Sequence, residues 1–359
     1  MAAISPVRGA HRLRVWIDLA NSPHPLLFAP ISRALQRAGN EVVITVREHA
    51  QTVELTRERW RDFELIGGES PQGRATKAKA LVGRVKRMRE WASRHRPDVA
   101  LSHNSYAQIV AARSIGIPVV TAMDFEYQPA NHLAFRLATF ILLPEAVPPA
   151  IVRRQGARSK KVLRYTSLKE ALYVGDFEPD HQALLDLGIN RTDRQVIVIA
   201  RTPPSGALYH RFQNPLFLSA LQTIAGQPNV RCVVLARQDE QRRDIQALGL
   251  PNCVIPDAAV DARSLMYGAD LVLGAGGTMT REAALMGVPT LSLFAGRQPA
   301  VDRWLEQLGA LRRLTRVDQV RHIGPRPSNP RSIEELRAAA REPLRTFVAA
   351  TIRAAEPNK

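Results

Sequence analysis

Short apolar runs alternate with stretches of helical periodicity along almost the whole chain, and that alternation limits the folds open to it. Runs at 13–19, 41–46, 62–66, 97–101, 118–122 and 139–143 form one series. Runs at 195–200, 230–235, 252–255, 270–273 and 290–294 form a second. Parallel strands need a crossover, usually a helix, to return the chain to the same edge. Strand–helix alternation therefore predicts parallel sheets covered by helices on both faces. The 359 residues suffice for two domains, each large enough to bury its own core. The expected architecture is α/β, with two doubly wound, Rossmann-like halves at 12–166 and 167–330 facing one cleft, and a hinge at 166–179. A last helix, at 331–355, opens on Ser332-Ile333-Glu334-Glu335, a capping-box pattern, and is expected to pack back on the first half. In such sheets ligands sit outside the carboxyl ends of the strands, so the loops there carry the chemistry.

The charge balance narrows the partners. Lys and Arg total 50 against 33 acidic residues, a net charge of +17 that attracts anions. The densest stretch carries Arg74, Lys77, Lys79, Arg84, Lys86, Arg87, Arg89, Arg94 and Arg96 around apolar residues at Ala78, Leu81, Val82, Val85, Met88 and Ala92. That spacing gives one helical stripe. It fits a helix packed on a sheet with a solvated basic face, and also a helix in peripheral contact with an anionic membrane. No nucleic-acid signature accompanies it, so no specific nucleic acid is expected. No apolar run reaches the ~20 residues of a membrane span. The first residues carry arginines without an apolar core, so no signal peptide is expected. Cys232 and Cys253 lie in apolar runs and are expected to be reduced. The expected compartment is cytoplasmic, with the inner face of the membrane as a peripheral station.

After the run at 270–273 comes Gly274-Ala275-Gly276-Gly277-Thr278-Met279-Thr280-Arg281-Glu282-Ala283-Ala284-Leu285-Met286-Gly287-Val288-Pro289. Glycines bring the backbone close to a ligand, and a helix opening near Thr278 would aim free N–H groups and its positive end at an anion such as a diphosphate. Glu282, one turn in, is placed to accept hydrogen bonds from a ribose. Arg201, at the head of the second half, would neutralise the diphosphate; His210 lies in the same loop, and Arg297-Gln298 follow a later strand. In the first half, Asn21-Ser22-Pro23-His24 ends the first strand and puts His24 at the first strand-to-helix turn, with Asp18 bracing it. Two further strand ends carry His103-Asn104 and Asp124-Phe125-Glu126. Asp124 and Glu126, one residue apart, would share a side of an extended segment and serve as general bases or hydroxyl ligands; the ordinary alternative is that one caps the helix near Pro129. The histidines show no metal-ligand spacing, and no metal or cofactor is expected.

Taken together, Trp16-Ile17-Asp18-Leu19-Ala20-Asn21-Ser22-Pro23-His24, Gln128-Pro129-Ala130-Asn131-His132 and Gly274 to Pro289 resemble the GT-B superfamily, and within it a bacterial and archaeal domain-of-unknown-function family. The resemblance extends to UDP-N-acetylglucosamine 2-epimerases and to the N-acetylglucosaminyltransferase of peptidoglycan synthesis. His24, Leu35, Gly39, Asn40, Glu41 and Val42 keep the transferase spacing, with Asn21, Ser22 and Pro23 where it has glycines. Glu282 and Gly287-Val288-Pro289 match the ribose-binding Glu and Gly-x-Pro of the relatives. The epimerase Gly-Asp-Thr loop meets Ser102-His103-Asn104, and its His-Arg motif meets Ala200-Arg201-Thr202-Pro203-Pro204.

The resemblance implies a metal-independent glycosyltransferase of cell-surface polysaccharide or glycolipid synthesis. Its substrates would be a nucleotide-diphosphate sugar and a sugar or lipid-linked acceptor. Arg201, Gly274, Gly276, Gly277, Thr278, Glu282, Arg297 and Gln298 would bind the nucleotide sugar. His24, Asp124 or Glu126 would take the acceptor proton, with Asn21, His103 and Asn104 on the acceptor side. A non-hydrolysing UDP-sugar 2-epimerase is the first alternative, and a non-catalytic nucleotide or polyanion binder the second.

Overall fold

A computed structural model describes residues 12–49, 51–68, 74–191, 195–203, 215–258 and 260–356. The chain forms two compact units, Met1–Tyr173 with Ala339–Lys359, and Val174–Ala338.

Seven strands make the sheet of the first unit: β1 (Arg14–Leu19), β2 (Glu41–Val46), β3 (Glu64–Leu65), β4 (Val99–His103), β5 (Val119–Ala122), β6 (Phe140–Pro144) and β7 (Val162–Tyr165). Their order is β3-β2-β1-β4-β5-β6-β7, with every pair parallel. The winding reverses between β1 and β4, where Val15 pairs with Val99 and Asp18 with Ser102. Val15, Trp16, Ile17 and Leu19 are fully buried, as expected of a strand covered on both faces. The edge strand β7 escaped the periodicity because Val162-Leu163-Arg164-Tyr165 is short, half-buried and broken by a cation.

The second unit holds β8 (Val196–Arg201), β9 (Val230–Leu235), β10 (Cys253–Val254), β11 (Leu271–Gly274), β12 (Thr290–Ser292) and β13 (Arg312–Arg313). The order is β10-β9-β8-β11-β12-β13, again all parallel, so its winding reverses between β8 and β11. Val198, Ala200, Phe217, Leu221, Val234, Leu273 and Leu291 fill its core. Here β13 was unreadable for a simpler reason: it consists of two exposed arginines. Both cysteines are free thiols, facing each other in register across β9 and β10.

The last helix runs Ile333–Ala355. Its capping box forms as the pattern predicts: Ser332 N donates to Glu335 Oε2 at 2.8 Å and Glu335 N to Ser332 Oγ at 3.2 Å. Within the first unit, Phe347 lies 5.4 Å from the Tyr165 ring and Glu342 accepts from Thr166.

The basic stretch is the helix Arg74–His95, but its packed face differs from the expected stripe. Arg84, Met88, Trp91 and Ala92 are buried, whereas Leu81 and Val82 are 47% and 68% exposed. Arg84 is therefore no part of a solvated face. Its Nη2 donates to both oxygens of Asp18 at 2.9 and 3.0 Å, and its Nε to Ile66 O at 2.8 Å. Gly67, at φ +96°, leaves room for it: a Cβ there would lie 2.8 Å from Arg84 Cδ. A buried cation is tolerated because a carboxylate and a carbonyl satisfy it, and removing either charge would cost about 3–5 kcal/mol. Among the described residues no helix is long and apolar enough to cross a membrane.

Candidate functional site

In the second unit the reversal between β8 and β11 brings two loops together. Gly274 closes β11, paired with Arg201 at the end of β8. The helix Gly277–Leu285 starts one residue before the expected Thr278, with Gly276 as its N-cap. Thr280 Oγ1 bonds back to the carbonyls of Gly276 at 2.7 Å and Gly277 at 3.0 Å. Thr278 lies in the first turn of this helix.

One guanidinium meets this terminus and a second lies within electrostatic reach of it. Arg237, after β9, donates its Nε to Thr202 O at 3.0 Å, and its Nη2 would sit 2.7 Å from any Cβ on Gly276. A side chain at 276 would push this guanidinium away from the helix terminus. Arg201 donates Nη1 to Ala236 O at 3.1 Å. Burial, reinforced by the charge of Arg237 and opposed by Glu282, pulls the Arg201 pKa down to about 10. Burial also lowers that of Arg237. Glu282 is buried one turn into the helix, within electrostatic reach of Arg201. Its neighbour Arg281 is tied to Asp302 at 2.6 Å in a buried ion pair. Two like charges held beside free helix N–H groups form a site for a polyanion. Arg297 and Gln298 follow β12 instead: Arg297 is exposed, and Gln298 O accepts from Arg303. His210 lies outside the described residues.

The corresponding turn of the first unit is built differently. His24 is the second residue of the helix Pro23–Arg37. Pro23 and Pro25 have no N–H, and the His24 N–H already donates to Asn21 O at 2.9 Å. Of the first three residues of the helix, two therefore offer no N–H and the third has spent its own. The His24 ring is buried, edge-on to His103 at 5.4 Å and Phe28 at 6.0 Å, and its Nδ1 accepts from Ala20 N at 3.1 Å. Burial first, then the charges of His103, Lys169 and Arg84, hold the His24 pKa well below the ordinary histidine value, with Asp124 opposing.

Around these rings stands a charged cluster. His103 Nε2 lies 3.1 Å from Asp124 Oδ1, and Lys169 Nζ bridges Asp124 Oδ2 to Glu170 Oε1, the latter at 2.6 Å. Asn104 is held at a left-handed φ of 52°, and its Oδ1 is buried with no hydrogen-bond partner. Asn21 is exposed at the mouth of the same turn. Asp18 braces the floor, accepting from Thr45 at 2.7 Å and from Ser105 as well as Arg84.

Asp124 lies in the segment after β5, and the chain enters a turn at Glu126. That turn is pinned by Asn131 Nδ2 on Phe125 O at 3.2 Å and by Gln155 Nε2 on Glu126 O at 2.5 Å. Neither carboxylate caps the next helix, which starts at Asn131 after Ala130 with no side-chain cap. Lys169, Glu170 and Arg237 were missed by sequence reasoning. The first two sit in what reads as a connection, and Arg237 has only its place at a strand end as a signal.

Residues 13–327 match the family described as "Protein of unknown function (DUF354)". The chain belongs to DUF354. This DUF354 protein is 28% identical over 302 residues to an uncharacterised protein of Methanocaldococcus jannaschii, covering 82% of this chain and 85% of the relative. Its fold is like that of the UDP-GlcNAc 2-epimerase of M. jannaschii, with a TM-score of 0.67 at 12% identity over 92% of this chain and 98% of the other. The same epimerase has been solved in complex with UDP-GlcNAc and UDP. It is also like the glycotransferase of kitacinnamycin, with a TM-score of 0.62 at 18% identity over 96% and 98%. At these identities the likeness speaks for the fold alone, and the fold of this chain is of GT-B type.

Proposed function

We propose that this DUF354 protein is a nucleotide-diphosphate-sugar enzyme, and specifically a metal-independent glycosyltransferase. The observation that carries the reading is the pair Arg201 and Arg237, Arg237 against the N-terminus of Gly277–Leu285 and Arg201 within electrostatic reach of Arg237 and of buried Glu282. Two guanidiniums and free backbone N–H groups stabilise the negative charge that builds on a departing diphosphate. Glu282 would accept from ribose hydroxyls. The first unit, whose opening helix begins with two prolines and a spent His24 N–H, would handle the acceptor through its Asp124, His103 and His24 cluster. A thermal-shift panel of nucleotides and nucleotide sugars tests this. Stabilisation by diphosphates above that by nucleosides supports the reading, and equal response to both sinks it.

Asp124 and Glu170, two buried carboxylates sharing Lys169, support a second reading, an epimerase that moves a proton at a sugar carbon. Incubation with UDP-GlcNAc in deuterated water separates the two. Exchange at C2 with no acceptor present favours the epimerase; its absence, together with UDP release on adding acceptor, favours the transferase. The exposed Leu81 and Val82 on the basic helix support peripheral contact with an anionic membrane, where a lipid-linked acceptor would be met.

A further inference from the structure

A histidine at the first strand-to-helix turn invites the role of general base, but the hydrogen bonds of His24 oppose it. The Ala20 backbone N–H, which can only donate, points at Nδ1 from 3.1 Å. Nδ1 must therefore present its lone pair, and in the neutral ring the proton then sits on Nε2. Accepting a second proton would place N–H against N–H at Nδ1 and break that bond. The new charge would lie in a buried pocket faced by Lys169 from the segment after β7, Arg84 from the long basic helix and His103 from β4. The group that favours it is Asp124, after β5, which shares Lys169 with Glu170, while Asp18 is paired with Arg84. The N-terminal end of Pro23–Arg37 adds a positive dipole end at the same place.

We propose that His24 acts as a neutral hydrogen-bond donor through Nε2, and that the proton released in the reaction goes to the Asp124–His103 pair. The inference rests on the nucleotide-sugar reading only for the identity of the substrate. In the transferase step the acceptor oxygen forms the new bond to the sugar carbon as its proton passes to the Asp124–His103 pair. The electron pair of the broken carbon–oxygen bond leaves on the diphosphate. His24 Nε2–H holds a substrate oxygen in place and neither gains nor loses a proton.

Side-chain replacements separate donor from base. Gln at 24 carries an amide N–H near the position of Nε2, whereas Asn can still accept from Ala20 but has no donor there. The expected result with UDP-GlcNAc and acceptor is that His24→Gln keeps kcat within about tenfold. His24→Asn and His24→Ala should each lose roughly 10²–10³-fold, the range for removing one preorganised donor. The acid limb of the pH–rate profile should be unchanged in His24→Gln and should shift in Asp124→Asn. If Gln falls as far as Ala, His24 is a base and the proposal is wrong. A second readout does not need turnover. In ¹⁵N-histidine spectra of the wild-type protein, the resonances lost in His24→Gln should show unprotonated Nδ1 and protonated Nε2 throughout pH 6–8. The opposite tautomer, or a titration within that range, overturns the inference. A protein with the expected tautomer but no turnover on any nucleotide sugar would instead count against the enzymatic reading.

Discussion

Gly276→Ala is the sharpest perturbation of the proposed diphosphate site, because one methyl group acts through one cation. The added Cβ would stand 2.7 Å from Arg237 Nη2, against the ~3.5 Å or more that non-bonded atoms prefer, so the guanidinium must retreat by roughly 1 Å. Gly276 has φ −109° and ψ 163°, an extended conformation open to alanine. The backbone therefore stays, and loss of a good N-cap costs at most about 1 kcal/mol, a few degrees in Tm for a unit of this size. A charge-assisted hydrogen bond to phosphate contributes about 1.5–3 kcal/mol. The Kd for UDP, measured by titration calorimetry, should rise about 10- to 150-fold. In an Arg237→Ala background the same methyl group should do almost nothing, since the two changes remove one interaction. An unchanged Kd, or an equal loss in both backgrounds, refutes the argument that Gly276 exists to admit Arg237.

Other outcomes follow from the same geometry. His24 is held neutral when folded, so as pH falls below about 6.5 the unfolded chain binds a proton that the native state refuses. Stability should therefore drop by up to about 1.4 kcal/mol per pH unit in that window, and His24→Gln, compared by chemical denaturation at pH 5.5 and 7.5, should lack this component. Membrane contact predicts co-sedimentation with phosphatidylglycerol vesicles that fades between low and high salt and weakens in a Leu81→Ser, Val82→Ser variant. Equal binding to neutral phosphatidylcholine vesicles would remove that partner.

Much of the fold is legible because period-2 and period-3.6 patterns survive in long, well-buried elements. The run at 13–19 becomes β1, buried on both faces, and Ser332 with Glu335 makes the capping box it spells. Short edge strands carry no such signal: β13 is two exposed arginines held only by pairing with β12. Charge was misleading where burial decides, since Arg84 reads as one more basic residue until Asp18 is found opposite it. The glycine turn was legible because a strand, a glycine cluster and a helix are contiguous in sequence. Arg237 and Lys169 were not, because their partners, Gly276 and Asp124, lie on other loops and only the sheet order brings them together. The pairing of Ala20 N–H with His24 Nδ1 likewise depends on a turn geometry that no residue pattern encodes.

In the proposed site, Arg201 and Arg237 hold a nucleotide diphosphate at the helix that begins at Gly277. The direct measurement is calorimetric titration of UDP and UDP-GlcNAc into the wild-type protein and into the Arg201→Ala, Arg237→Ala double variant, with each protein's fold checked by its melting curve. UDP should bind the wild type saturably and uridine more weakly, and the double variant should lose at least about 100-fold in affinity. Binding that is indifferent to both arginines, or no binding of any nucleotide diphosphate to the intact protein, would contradict that assignment.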